Sequence, residues 1–144
     1  MTLFMMVMVC SVMVSCSSDD DKDNGGENNG EGPTTSLASQ LVGTWEYANV
    51  YVYDDGTSAS FYYTYRPDNT GIWERRQGST RWFYEFNYSA NQSEGKNWVH
   101  MYITNSNMYE DWGIEYKKGR TIDTDFVVRD NKLYIDNMVY TKSN

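Results

Sequence analysis

From Leu41 to the C-terminus, short stretches rich in Tyr, Val, Trp, Phe, Ile and Thr are separated by clusters of Gly, Asn, Asp and Ser at intervals of roughly ten residues. Within many of them apolar and polar positions alternate, the period of a strand with one buried face. The spacing predicts strands at 43–53, 59–66, 70–77, 80–89, 96–104, 108–118, 121–128 and 132–142, the last open to division at Asp136-Asn137 by a turn or bulge. Asp54-Asp55-Gly56, Pro67-Asp68-Asn69, Gln77-Gly78-Ser79, Ser93-Glu94-Gly95 and Lys118-Gly119-Arg120 supply connections short enough for hairpins. The pattern therefore predicts an all-β fold, an antiparallel up-and-down meander barrel of about eight strands, whose closure removes exposed edges.

Parity along the strands assigns an inner face. Phe61, Tyr63 and Tyr65 share one side, as do Trp82, Tyr84, Phe86 and Tyr88. Trp112, Ile114 and Tyr116 form a third row, opposed by Asp111, Gly113 and Glu115, and the same parity turns Glu110 inward near a rim. A barrel of this size either fills with side chains or holds one small ligand. The candidate ligand-binding residues are Tyr63, Trp82, Tyr84, Phe86, Glu110, Trp112 and Tyr116.

The N-terminus follows a different pattern. Residues 3–16 form an uncharged apolar run, shorter than the roughly 20 residues of a spanning helix and suited to the core of a signal peptide. Residues 17–36 then contain no hydrophobic residue and read as a solvated tether. The expected organisation is a signal peptide at 1–15, an anchored acidic tether at 16–36 and one domain at 37–144.

Charge divides along the same boundary. The chain carries a formal charge of −8, of which six acids and one lysine, a net of −5, lie in 17–36. The domain, with 14 acids and 11 bases, is close to balanced, yet it holds 22 of the 23 aromatic residues. Nucleic acid is an unfavourable partner for such a chain. The basic cluster Arg75, Arg76 and Arg81 around the Gln77-Gly78-Ser79 turn suits an anion contact or simple solvation. The aromatic excess has three readings: barrel filling, the wall of a small cavity with tyrosine hydroxyls as orienting groups, or an exposed platform for sugar or protein.

Catalytic chemistry has little material. The domain has one histidine, His100, in a predicted strand, and no serine stands in a Gly-x-Ser-x-Gly elbow. Both cysteines lie in the first 16 residues, so the domain has neither a disulfide framework nor a zinc ligand set. Asp19, Asp21 and Asp23 alternate as in a calcium loop, but Asn24 and Gly30 occupy the positions where that loop needs Gly and Glu. No catalytic residue, metal or cofactor is expected, and the protein reads as a non-enzyme.

Two resemblances extend this reading. Met13-Val14-Ser15-Cys16 resembles the lipobox of bacterial lipoproteins, although Met13 replaces the usual leucine and no Lys or Arg precedes the apolar run. That resemblance implies a lipid anchor on Cys16, durable when two or three acyl chains are attached. Ser17-Ser18-Asp19-Asp20-Asp21-Lys22-Asp23 resembles an acidic surface-export signal of some Gram-negative lipoproteins, which implies the outer membrane with the domain exposed at the cell surface.

The segment Ser36–Trp45, a short helical lead into Gly43-Thr44-Trp45, resembles the entrance of lipocalin-like domains of bacterial lipoproteins. Further matches are Asp55-Gly56, Asn69-Thr70-Gly71, Leu133-Tyr134-Ile135 and Tyr140-Thr141-Lys142, so the resemblance spans 37–144. It implies that the helix closes one barrel end and that Gly43 and Trp45 build the floor. The C-terminal helix and disulfide of secreted lipocalins have no counterpart here. The expected function is a lipid-anchored envelope lipoprotein binding a small apolar or amphipathic ligand. The alternative is a surface accessory module that recognises glycan or protein through exposed aromatics without an internal pocket. A cavity beneath Tyr63, Tyr84 and Trp112 separates the two; ligand identity and oligomeric state are not encoded in any motif.

Overall fold

Ser36 caps a one-turn helix, α1 (Leu37–Leu41), where its hydroxyl accepts from the Ser39 amide at 3.2 Å. In this computed structural model the described residues are 36–144; Cys16, the predicted signal peptide and the tether up to residue 35 lie outside them. After α1 the chain enters β1 (Gly43–Tyr47), β2 (Tyr51–Val52), β3 (Ser58–Tyr65), β4 (Thr70–Gln77), β5 (Thr80–Ser93) and β6 (Lys96–Ser106). A helical turn, α2 (Tyr109–Trp112), and a 3-10 turn (Ile114–Tyr116) precede β7 (Thr121–Arg129), β8 (Lys132–Ile135) and β9 (Met138–Lys142).

Neighbouring strands pair antiparallel from β3 through β9, β9 pairs with β1, and β1 pairs with β3 to close an eight-stranded barrel. The ninth strand, β2, extends the β1 side and pairs only with the start of β3. The up-and-down order is set by tight turns. Glu94-Gly95, Asp130-Asn131 and Asp136-Asn137 all have positive φ at both positions, the type I′ geometry whose twist matches that of the flanking strands. Asp and Asn tolerate that conformation better than most residues, so three of the hairpins are written in local chemistry.

Two predicted strands are changed. The expected strand 43–53 is interrupted at 48–50, where the chain loops out before resuming as β2. The expected strand 108–118 is not a strand: its residues form α2 and the 3-10 turn, and Gly113 between them has φ 132°. The alternation of Trp112, Ile114 and Tyr116 therefore does not mark an inner face, and Ile114 is 62% exposed. The β6–β7 connection is accordingly a rim-covering excursion rather than a hairpin. Eight barrel strands are nonetheless present, because 132–142 divides at Asp136-Asn137 as that dipeptide suggested.

The two barrel ends are packed differently. At the α1 end Leu41, Trp45, Tyr65, Phe86 and Met101 are all at most 1% exposed. Trp45 donates its indole N–H to the Leu41 carbonyl at 2.6 Å, tying the first strand to the helix that covers the floor. Gly71 lies against the Phe86 ring; a Cβ there would stand 2.4 Å from it and 2.8 Å from the Thr64 carbonyl oxygen. The Lys142 ammonium lies 5.1 Å over the Trp45 ring, and a Cβ on Gly43 would stand 2.6 Å from the Lys142 side chain.

Candidate functional site

The opposite end carries the candidate site. Alternation along β4 sends Gly71, Trp73, Arg75 and Gln77 to the inner side, where Trp73 pairs across strands with Tyr63 and Tyr84. Tyr63 comes from β3, Tyr84 from β5, and Met138 and Tyr140 from β9. The excursion after β6 adds Met108, Trp112 and Tyr116 from above. Together with Phe61 and Asp136 these side chains line a partly open cavity of about 250 Å³.

Its wall is almost entirely ring surface. Trp73 and Tyr84 stack at 5.4 Å with an interplanar angle of 11°, and Tyr84 stacks on Tyr116 at 5.8 Å. The polar part is a short relay: the Tyr63 hydroxyl donates to Asp136 Oδ2 at 3.1 Å and lies 3.1 Å from the Tyr84 hydroxyl. Since the Tyr63 proton is committed to Asp136, Tyr84 donates to Tyr63. Burial raises the Tyr63 and Tyr84 hydroxyls far above the ordinary phenol range, and the Asp136 charge adds in the same direction. Both stay protonated hydrogen-bond donors.

A second space of about 280 Å³ is lined by Tyr84, Glu115, Tyr116, Thr121, Ile122 and Asp136. The two share Tyr84, Tyr116 and Asp136, so the mouth holds adjoining compartments around one carboxylate. A larger depression of about 400 Å³ lies on the outer wall around Trp98, His100 and Asp123. Its floor is the outward face of β5–β7 and lacks the enclosing rings of the mouth.

The rim above the cavity contains a buried cation. Arg75 is 5% exposed, with its guanidinium 4.5 Å from the Trp82 ring centre and 4.7 Å from that of Trp112. It donates to the Tyr53 hydroxyl and, at 2.6 Å, to Gln77 Oε1, while its Nε has no hydrogen-bond partner among the described residues. Arg75 is therefore not the surface-solvated residue the cluster suggested. Arg76 and Arg81 point outward and pair with Glu74 at 3.2 and 2.5 Å. Burial opposes ionisation of Glu74, but the hydrogen bonds from Arg81 and Arg76 outweigh it and hold its carboxyl below the usual range.

Of the sequence candidates, Tyr63, Tyr84, Trp112 and Tyr116 meet at the cavity. Phe86 does not: it packs among Tyr65, Tyr84 and Tyr88 in the closed half. Trp82 stands behind the wall, where it stacks on Arg75, contacts Trp112 and donates to Asp111 Oδ2 at 3.0 Å. Glu110 is exposed on α2, because a helical turn and not a strand sets its direction. The lining residues absent from the sequence candidates are Phe61, Trp73, Met108, Asp136, Met138 and Tyr140. Trp73 could have been found from the parity of Gly71, Trp73 and Arg75, whereas Asp136 looked like turn chemistry alone.

His100 lies on the outer face, its Nδ1 2.7 Å from Asp123 Oδ1, and it is in register with Ser89 on β5 and Asp123 on β7. A serine, a histidine and an aspartate therefore stand in one row, but His100 Nε2 has no hydrogen-bond partner among the described residues, so the row does not connect to Ser89 as a nucleophile requires. No group of three or more His, Cys, Asp or Glu side chains is placed to hold a metal ion among the described residues. No family model, curated protein or solved structure matches this chain, so its functional reading rests on the barrel and its mouth.

Proposed function

We propose that the chain is a lipid-anchored envelope protein whose barrel binds one small amphipathic ligand at its open end and performs no catalysis. The observation that carries this reading is the partly open space of about 250 Å³ where Tyr63, Tyr84 and Trp112 meet. It lies just under the usual 300–1,000 Å³ range of small-molecule sites, which limits the ligand to a compact one. Rings supply apolar contact and the Tyr63–Asp136 relay supplies orientation, the combination typical of such sites. The alternative, a module that recognises glycan or protein through exposed aromatics without an internal pocket, is less favoured by the space at the mouth. The lipocalin-like resemblance and the closed meander support the same role.

Anchoring through Cys16 to the outer membrane, with the acidic tether holding the domain at the cell surface, completes the proposal. Native mass spectrometry of protein from its own cells is expected to show a bound small molecule that Met138→Trp, which fills the cavity, removes. A ligand-free mass for the unaltered chain would sink the binding role. Cys16→Ala is expected to release the protein from the membrane fraction; unchanged retention would sink the anchor.

A further inference from the structure

We infer that the mouth selects a small organic cation, an ammonium group bearing methyl or short alkyl substituents, with Asp136 as counter-charge and the rings around it as a cage. This rests on the binding role proposed above and names the chemical class of the ligand. Three features of the site converge on it.

The first is charge. Asp136 borders both compartments and Glu115 borders the second, whereas no Lys, Arg or His lines either. The Asp136 charge is felt across the mouth: it raises the hydroxyls of Tyr63, Tyr84, Tyr116 and Tyr140 in addition to the burial that dominates each shift. An anion entering this space would meet a carboxylate with no opposing cation on the wall. Arg75, the cation at the rim, is in neither lining, and its guanidinium is already held by Tyr53, Gln77 and two indole faces.

The second is the wall. Aromatic rings present a negative face to a cation, and the attraction grows when both are removed from water. Among the described residues seven rings line this cavity, some of them, such as Tyr84 between Trp73 and Tyr116, with their faces stacked on neighbours, together with two methionine side chains, Met108 and Met138, whose polarisable sulfur suits methyl groups. The third is what the wall lacks. A sugar of similar size needs several donors and acceptors fanned around its hydroxyls. Beyond the tyrosines and Asp136, the main cavity has no amide, serine, threonine or histidine side chain. One charge and many rings suit an alkylated ammonium better than a polyol.

The test compares choline with 3,3-dimethylbutan-1-ol, in which carbon replaces the nitrogen and the charge is lost, and with 3,3-dimethylbutanoate, which is anionic. Calorimetric titration of the full chain reads binding, and tryptophan fluorescence locates it, since Trp73 and Trp112 border the cavity. Choline is expected to bind about tenfold more tightly than the alcohol, with the acid weakest. Asp136→Asn, which keeps the shape and tolerates the same turn backbone, is expected to remove most of that preference, lowering choline affinity about tenfold more than alcohol affinity. Equal affinity for choline and the alcohol would overturn the cation assignment and leave the binding role standing. Tighter binding of the acid would overturn it too, and saturation by none of the three would overturn it while the co-purified ligand still tests the binding role separately.

Discussion

The closed and open halves of this barrel are built from the same alphabet and end in opposite states. At the floor, Trp45, Tyr65, Phe86 and Leu41 leave no space, because Gly71 lets the Phe86 ring lie against the β4 backbone and α1 covers the end. At the mouth, Trp73, Tyr84, Trp112 and Tyr116 are as large, yet they line a partly open space of about 250 Å³. The difference is in what covers each end. The floor is sealed by a helix tied to the first strand by a buried hydrogen bond, and the mouth by an excursion whose Trp112 is 40% exposed. Aromatic content alone does not decide whether a barrel is filled; the placement of one glycine and one covering segment does.

The strongest way to probe that contrast is alkaline pH. Burial raises Tyr63, Tyr65 and Tyr84 well above the ordinary value and raises Tyr140 as well. Unfolded tyrosines lose their protons near pH 10, so above that pH the unfolded chain binds fewer protons than the folded one and stability falls as pH rises. Each such residue contributes a slope of about 1.4 kcal/mol per pH unit. Four together would exhaust a typical stability of roughly 5–15 kcal/mol within about one to three units above pH 10. Tyrosinate absorbance should therefore appear together with loss of near-UV circular dichroism. Ionisation of Tyr63 and Tyr84 in a still-folded chain, tested by comparison with Tyr63→Phe and Tyr84→Phe, would mean that the mouth is wet and open.

Substitutions at the floor come next. Trp45→Ala removes a fully buried indole and its bond to Leu41, and is expected to cost about 4 kcal/mol in denaturant unfolding. Gly71→Ala must displace either the Phe86 ring or backbone, and should cost about 2 kcal/mol without touching the cavity lining. A neutral Gly71→Ala would show that the floor has slack and that the two halves differ less than described.

The barrel strands were more legible from sequence than the excursion that covers the mouth. Strict alternation in Trp82, Tyr84, Phe86 and Tyr88 fixed their common face, and paired Asp, Asn and Gly turns fixed the hairpins. The mouth misled for physical reasons. Trp112 and Tyr116 both reach the cavity, and residues four apart can share a direction in a strand or across successive helical turns, so the spacing did not discriminate. Gly113 was the available signal, since its φ of 132° suits glycine and breaks a strand. Arg75 contradicted its own charge: parity placed it inward with Trp73, but only the flanking indoles, distant in sequence, make that position tolerable. Asp136 required knowing that the β8–β9 turn brings its carboxylate to a tyrosine hydroxyl 73 positions away.

The smallest stability effect expected is the most discriminating for function. Trp112 contacts Trp82 and lies over Arg75, but it is 40% exposed, so Trp112→Ala should cost only about 1 kcal/mol, mainly the lost cation–π face and partial burial. Trp45→Ala, removing the same side chain from the floor, should cost roughly four times as much. Ligand affinity should order the two variants the other way. Trp112→Ala strips part of the cavity wall and is expected to weaken binding about tenfold in a protein that remains folded, because a desolvated cation–π contact contributes up to about 2 kcal/mol. A Trp112→Ala variant as unstable as Trp45→Ala would make the excursion a second plug, and the space beneath it a packing defect instead of a site.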